Sequence, residues 1–270
     1  MNKISKALKA IALILKKPYL LNHIIEDESV LQQYVEKKYN LPKGLPFVAI
    51  TELFPDFNET VKPYAYLDGA TLPIDIALLK ALASKYHVQH YFEIGTWRGE
   101  SVANIAEIAS NCVTLNLPDL EILELGMSDD YVNMHRFFSS ELKNVKHLEG
   151  NSQKFDFKKY LKQFDMVFVD GDHHYESIVK DTKTAFELIK DESKIIVWHD
   201  YALEPETVRW SVMAGILDGC PIEKRKNIYH ISNTLCAVYI NDNIKSDWLK
   251  INEQPKNYFE IGIKAIHKYE

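Results

Sequence analysis

The fold is decided by one stretch of the sequence, Tyr91-Phe92-Glu93-Ile94-Gly95-Thr96-Trp97-Arg98-Gly99-Glu100-Ser101. Its first four residues are a short apolar run that predicts a buried strand, and a glycine-containing turn and a helix over 101–109 follow. A strand that runs through such a turn into a helix is the unit from which doubly wound α/β sheets are built. Ligands of these sheets bind at the carboxyl ends of the strands, so the ligand site is expected next to the turn after Ile94.

Six further strands are predicted after this unit, at residues 113–117, 145–148, 164–169, 194–198, 228–231 and 235–240. Helices over 73–86 and 175–189 alternate with them, which indicates right-handed parallel βαβ units. The last two strands flank Ser232-Asn233-Thr234 and predict a closing antiparallel hairpin. We therefore expect an α/β fold with a doubly wound, mostly parallel, seven-stranded Rossmann-like sheet and an N-terminal helical appendage.

The predicted organisation has three parts. Residues 1–70, in which four prolines interrupt the stretch 26–70, form a helical segment that acts as a lid or a dimerisation element. Residues 71–245 form the sheet domain, and 246–270 form a C-terminal extension. A homodimer through residues 1–70 is one expectation.

Composition excludes several classes of protein. The 270 residues are 46% hydrophobic and 26% charged with a net charge of −6, which is typical of a globular protein and argues against nucleic-acid binding. The three cysteines are too few and too scattered for a disulfide framework or a zinc knuckle. We expect a cytoplasmic protein.

The first 25 residues differ from the rest, because they contain five lysines and no acid. Ile4, Leu8, Ile11 and Leu15 follow helical spacing, which predicts a basic amphipathic helix. We favour packing of this helix on its own domain or on a second subunit. The alternative is contact of residues 1–17 with an anionic membrane face, which would make the protein membrane-peripheral.

The spacing in the first turn limits its ligand. A dinucleotide site needs G-x-G-x-x-G so that the pyrophosphate can approach the second glycine, and Trp97 occupies that position. The turn also lacks the lysine of a phosphate-binding loop. An acid at the strand end followed by Gly-x-x-x-Gly suits a ligand with an amine-bearing head and no phosphate. A nicotinamide-dependent oxidoreductase is therefore disfavoured.

This turn resembles the first motif of class I S-adenosylmethionine-dependent methyltransferases, and the likeness extends over most of residues 71–240. Two later motifs support it, Phe168-Val169-Asp170-Gly171-Asp172-His173-His174-Tyr175-Glu176 and Trp198-His199-Asp200-Tyr201. Together they resemble the branch that methylates hydroxyls of small molecules and sugars. The resemblance implies S-adenosylmethionine as cofactor and a small-molecule acceptor. The alternative of a different class is a non-catalytic cofactor-binding or scaffold protein.

The resemblance assigns the cofactor site to Glu93, Gly95, Thr96, Gly99, Asn116, Asn151, Ser152 and Asp170. Glu93 and Gly95 would hold the amino-acid part, and Asn151-Ser152 would contact adenine. Asn116 stands where the family usually offers an acid to the ribose, and Asp119 is the alternative. Plain loop capping is the competing interpretation of Asn116 and Asn151.

Asp170, His199 and Asp200 are predicted to form a metal site. They end neighbouring strands, which lie ~4.8 Å apart, so their side chains should converge. The carboxylates favour Mg²⁺, Mn²⁺ or Ca²⁺, and the imidazole favours a transition metal. In the metal-dependent relatives, the ion holds the substrate hydroxyl and lowers its pKa.

The predicted catalytic residues are His173, His174 and Asp170. Either histidine can accept a proton near neutral pH. Asp172 is the spare candidate, although its position also suits a helix cap. Arg209 and Trp210, and the aromatic segment 64–69, are candidate walls and lid of the acceptor pocket.

Overall fold

The computed structural model of the chain describes residues 2–21, 28–69, 71–250, 254 and 256–267. Its strands are β1 (Phe47–Val48), β2 (His90–Ile94), β3 (Asn111–Asn116), β4 (Val145–Glu149), β5 (Met166–Val169), β6 (Ile195–Trp198), β7 (Ala202–Glu204), β8 (Thr207–Val208), β9 (Ile228–Ile231) and β10 (Ala237–Tyr239). All but β7 and β8 belong to one sheet, in the order β1-β9-β10-β6-β5-β2-β3-β4. The strands pair in parallel except for β10, which is antiparallel to both β6 and β9.

The α-helices are α1 (Lys3–Lys16), α2 (Glu28–Tyr39), α3 (Ile50–Leu53), α4 (Pro73–Lys85), α5 (Glu100–Ile105), α6 (Asp119–Glu124), α7 (Asp129–Asn133), α8 (Tyr175–Leu188) and α9 (Trp210–Gly219). Three short 3-10 helices lie at Pro18–Leu21, Phe157–Tyr160 and Ile222–Asn227. Helices α2, α8 and α9 cover one face of the sheet, and α4 and α5 cover the other.

The core has two halves because successive strand residues face opposite sides of the sheet. In β5, Val167 and Val169 face α8 and α9, whereas Met166 and Phe168 face α4 and α5. All four are buried. Burial on both faces explains the continuous apolar run that predicted this strand.

The strand order reverses between β2 and β5. From β2 the chain proceeds outward to β3 and β4 and then returns to the other side of β2 as β5. This is the switch point at which doubly wound sheets bind ligands. The loops after β2 and β5 therefore define the candidate site.

The predicted fold class is confirmed, with one more strand in the main sheet among the described residues than the seven expected. The additional strand is β1, whose two residues are too short to give a periodic signal. It pairs with β9 on one side, and Phe47 also exchanges two backbone hydrogen bonds with Asp247.

The predicted domain boundaries stay predictions. The predicted parts 1–70 and 246–270 include residues outside the described ones. Helix α1 confirms the helical character of the N-terminus, yet none of its residues is buried. No helix in the described part of the chain has the length and apolar content that a membrane span requires.

Candidate active site

The turn after β2 packs directly against the loop after β5. Gly95 has φ +96°, and a Cβ on it would lie 1.9 Å from the carbonyl oxygen of Asp170. The Asp170 amide donates to the carbonyl of Ile94 at 2.8 Å. Glycine is therefore required at position 95 by both its backbone conformation and the space available.

Glu93 lies beneath this turn. Its side chain is fully buried and accepts hydrogen bonds from the hydroxyls of Tyr91 at 2.6 Å and Thr114 at 3.2 Å. Burial raises the pKa of Glu93 to about 8. Thr96 is also buried, with its hydroxyl 2.5 Å from that of Thr114. These groups connect β2 to β3 beneath the turn, and their contact with a cofactor stays a prediction.

An aromatic cluster covers the side of the turn nearest β3. The Trp97 and Tyr131 rings lie 3.9 Å apart, and His135 packs edge-on against both. Trp97 Nε1 is buried and has no hydrogen-bond partner among the described residues. The Asn116 amide donates to His135 Nδ1 at 2.9 Å, and burial lowers the pKa of His135, which agrees with a neutral acceptor ring.

Tyr131 and His135 were not predicted. Both belong to the segment 119–135, where the only signal is an aromatic pair at i, i+4 spacing. Gly99, at the N-terminus of α5, is the other end of the predicted turn. Its φ is +79°, and a Cβ there would lie 2.2 Å from the Ser139 hydroxyl.

The loop after β4 is held by a buried carboxylate from α8. Asn151 caps its own turn by accepting from the Gln153 amide at 2.9 Å. The Gln153 side chain donates to Ser152 at 3.1 Å and to Asp181 at 3.0 Å. The second oxygen of Asp181 is buried without a partner in the described structure. The predicted adenine loop is thus fixed by Asp181, which sequence reasoning missed.

Replacing Asp181 with asparagine is expected to stabilise the protein by about 3 kcal/mol at pH 8 and by about half as much at pH 5. Burial, with a smaller effect of Asp172, raises the pKa of Asp181 from 3.8 to about 6, so the folded state holds the charged form at a cost above pH 6. That cost falls as the pH drops from 6 towards 3.8, because the carboxyl of the folded state gains a proton while that of the unfolded state is still charged.

Denaturant unfolding of Asp181→Asn at the two pH values measures this difference. The exposed Asp56→Asn is the control and should change the free energy of unfolding by less than about 0.5 kcal/mol at both. If Asp181→Asn raised the free energy of unfolding, relative to the unaltered protein, by no more at pH 8 than at pH 5, the result would contradict the assignment.

The three residues of the predicted metal site lie together. Asp170 follows β5, His199 and Asp200 follow β6, and one ligand atom of each lies within 4.8 Å of the others. His199 Nδ1 is 3.1 Å from Asp170 Oδ1 and 3.4 Å from Asp200 Oδ2. Asp200 adopts φ +54°, an uncommon backbone conformation that occurs often at functional sites.

His199 Nδ1 is buried, and neither carboxylate accepts from it with hydrogen-bond geometry. Burial alone would lower the pKa of His199, but Asp170, Asp200 and Asp75 raise it well above its ordinary value. Burial would raise the pKa of Asp200, but the neighbouring His173 and His199 hold it well below its ordinary value. The protonated His199 is therefore a buried positive charge between carboxylates. A divalent ion can supply that positive charge instead.

Asp75 is the residue of this group that sequence reasoning missed. It lies fully buried in the first turn of α4, with Oδ2 3.1 Å from His199 Nε2 and Oδ1 accepting from the Leu235 amide at 2.9 Å. A carboxylate on Nε2 directs Nδ1 towards Asp170 and Asp200, as outer carboxylates do at metal sites. Asp75 and His199 are 124 positions apart in the sequence, so no local pattern links them.

The two adjacent histidines have different partners. His173 Nε2 is 3.0 Å from Asp200 Oδ2 and faces the carboxylate group. His174 points away from it and pairs through Nδ1 with Asp172, more than half exposed. Asp172 also accepts from the Ser177 hydroxyl at 2.6 Å and from the amide of His174, the N-cap residue of α8, at 3.2 Å, so it fixes the start of that helix without capping it.

The segment before α4 crosses the glycine turn. The buried Arg98 donates to the carbonyls of Asp68 at 2.9 Å and Leu67 at 3.3 Å, and Glu100 accepts from the Ala65 amide at 2.8 Å. The predicted lid is therefore fastened to the turn itself. On the other side, Arg209 Nη1 lies 4.0 Å from Asp200 Oδ2, whereas Trp210 packs against the core.

The part of the chain that forms this site matches the model of a known protein family. Residues 92–201 match the family model described as methyltransferase domain. Over these residues, about two fifths of the chain, the sequence is similar to a methyltransferase domain. The predicted enzyme class is confirmed by this match, which begins in β2 and ends just after the His199-Asp200 motif.

Solved structures resemble the methyltransferase in fold. An O-methyltransferase from Streptomyces achromogenes, in complex with S-adenosylmethionine, is 17% identical with a TM-score of 0.43, over 65% of this chain and 83% of that one. An O-methyltransferase from Bacillus cereus, in complex with S-adenosylhomocysteine, is 16% identical with a TM-score of 0.40, over 70% and 83%. A Klebsiella pneumoniae protein provisionally described as an O-methyltransferase is 14% identical with a TM-score of 0.45, over 65% and 84%. No curated protein matches the sequence.

Proposed function

We propose that this methyltransferase transfers the methyl group of S-adenosylmethionine to a hydroxyl of a small molecule, such as a sugar, with the help of a divalent cation. One observation carries the proposal. Asp170, His199 and Asp200 converge at the carboxyl edge of the sheet, directly beside the glycine turn after β2. A cofactor on the turn and an acceptor at the carboxylates would lie next to each other.

The cofactor site proposed for the chain follows the loops at the switch point. The residues proposed to line it are Glu93, Gly95, Thr96, Gly99, Asn116, Asn151, Ser152 and Asp170. The unpartnered Trp97 Nε1 supports the proposal, because a buried donor without an acceptor is the kind of group that a polar ligand satisfies. S-adenosylmethionine supplies the reactive methyl group, so the protein has to bind, align and exclude water.

The donor set fits a divalent cation. His199 Nδ1 is buried without a hydrogen bond and is directed by Asp75 towards the two carboxylates. Asp170, His199 and Asp200 would hold the ion, which would lower the pKa of an acceptor hydroxyl. Two carboxylates and one imidazole suit Mn²⁺ or another transition metal at least as well as Mg²⁺.

His173 is the better of the two base candidates. Asp200 accepts from Nε2, which leaves the lone pair on Nδ1 for the proton of an acceptor hydroxyl. A carboxylate that fixes the tautomer of a catalytic histidine is a common arrangement in enzymes. His174 is bound to Asp172 at the start of α8, which supports a structural role for that pair.

Ligand-dependent thermal unfolding tests the cofactor. S-adenosylhomocysteine and S-adenosylmethionine at 100 times their dissociation constants are expected to stabilise the protein by about 2.7 kcal/mol, whereas NAD is expected to give no shift. Stabilisation by NAD alone would contradict the proposal.

Turnover measurements on the same protein test the proposed reaction. S-adenosylhomocysteine release is measured with a panel of hydroxyl acceptors after EDTA treatment and after addition of Mg²⁺ or Mn²⁺. The proposal expects hydroxyl-dependent turnover that is restored by one of the two ions.

A further inference from the structure

Helix α1 is the feature that the methyltransferase site does not use. None of its 14 residues is buried, although its sequence is amphipathic. The exposed fractions of Ile4, Leu8, Ile11 and Leu15 are 72%, 64%, 55% and 78%. Four large apolar side chains on one helix thus face solvent, which is costly without a partner.

The four side chains form a single stripe. At 3.6 residues per turn they fall within an arc of about 60°, and lysines occupy other directions around the helix. The basic residues are Lys3, Lys6, Lys9 and Lys16, with Lys17 at the C-cap, and the helix contains no acid. A narrow apolar stripe on a helix whose charged residues are all lysines is the pattern of helices that lie in the headgroup region of a bilayer.

We propose that α1 binds the surface of a bilayer that contains anionic lipids. The apolar stripe would enter the headgroup boundary, and the lysines would contact the lipid phosphates. Pairing of α1 with α1 of a second copy is disfavoured, because it would bring two sets of lysines together without an acid between them. The proposal is independent of the methyl-transfer chemistry.

The attachment point of α1 is near the candidate active site. Six residues separate the last described residue before the gap, Leu21, from Glu28 at the start of α2. Glu28 accepts from the amide of Ser211 at 3.1 Å and from its hydroxyl at 2.6 Å, in the first turn of α9. Arg209, which precedes that helix, lies 4.0 Å from Asp200. Binding through α1 would therefore keep this edge of the sheet within reach of the bilayer.

Vesicle sedimentation with the full-length protein tests the proposal. Vesicles of phosphatidylcholine with 30% phosphatidylserine are compared with phosphatidylcholine alone, at low and high salt. We expect binding to the anionic vesicles, at least tenfold weaker partitioning to the neutral ones, and loss of binding at high salt. Leu8→Asp/Ile11→Asp and Lys6→Glu/Lys9→Glu are each expected to weaken binding at least tenfold.

Matched controls exclude general effects of charge and polarity. Ile222→Asp removes an apolar side chain that is 77% exposed outside α1, and Lys143→Glu/Lys158→Glu reverses two exposed lysines elsewhere. Both should bind like the unaltered protein. Equal losses in these controls, equal binding to neutral vesicles, or a dimer that Leu8→Asp/Ile11→Asp dissociates without any vesicle binding would overturn the proposal.

Discussion

Replacing Gly95 with alanine is expected to weaken S-adenosylhomocysteine binding at least 100-fold and to destabilise the protein by roughly 3–5 kcal/mol. The added Cβ would lie 1.9 Å from the carbonyl oxygen of Asp170, which is a backbone atom and cannot turn aside. The turn after β2 and the loop after β5 must therefore separate. Because both loops are proposed to contact the cofactor, its affinity falls together with stability.

Gly126→Ala is a matched control for this effect. Gly126 also has a left-handed backbone, with φ +89°, but a Cβ on it would meet nothing within 4 Å. The Gly126→Ala variant should lose about 1–2 kcal/mol of stability, which is the cost of a left-handed backbone for alanine. It should keep its affinity for S-adenosylhomocysteine. Denaturant unfolding and calorimetric titration of both variants measure the two quantities. Equal losses in the two variants would mean that the contact with Asp170 is unimportant.

The sequence predicted those parts of the fold whose signals are local. The strand over 164–169 was found because a sheet buried on both faces needs a continuous apolar run, and β5 occupies its last four residues. β1 was missed because its two residues form a strand only when β9 is beside them. A local pattern predicts a strand or helix when the segment itself contains the whole apolar face. It fails when a short segment is held in place only by pairing with a neighbouring strand.

The same distinction applies to the site. Asp170, His199 and Asp200 were grouped correctly because they end strands that are neighbours in the predicted sheet. Asp75 contacts His199 from a helix on one face of the sheet, and the rotation of that helix cannot be derived from its own residues. The prediction therefore found the group at the sheet edge and missed the residue that orients it.

Asp181 could have been found from the sequence. It occupies a position in α8 three residues after Ile178 and four before Ala185, within the apolar stripe of that helix. A carboxylate in an apolar stripe is buried with a partner or at a cost, so the pattern indicates either a structural contact or a ligand site.

The second large effect is expected for Asp170→Asn, which should lower kcat/KM for methyl transfer by about 10²–10³-fold. Asparagine keeps the size of the side chain and an oxygen that can accept from the Thr71 hydroxyl, now 3.2 Å away. It removes the negative charge 3.1 Å from His199 Nδ1. The affinity for Mn²⁺ should fall with the activity, whereas the affinity for S-adenosylhomocysteine should change less than about tenfold, because the amide retains the shape of the loop.

Asp172→Asn separates this effect from a general sensitivity of the Asp170-Gly171-Asp172 loop. Asp172 carries the same charge two residues away, but it accepts from the amide of His174, the N-cap residue of α8, and is half exposed. Its replacement should cost about 0.5–1 kcal/mol of stability and leave kcat/KM within about threefold. Titration of both variants with Mn²⁺, together with their turnover, tests the assignment. If Asp172→Asn lost as much activity as Asp170→Asn, the carboxylate facing His199 would have no special part in catalysis, and Asp172 would become the stronger base candidate.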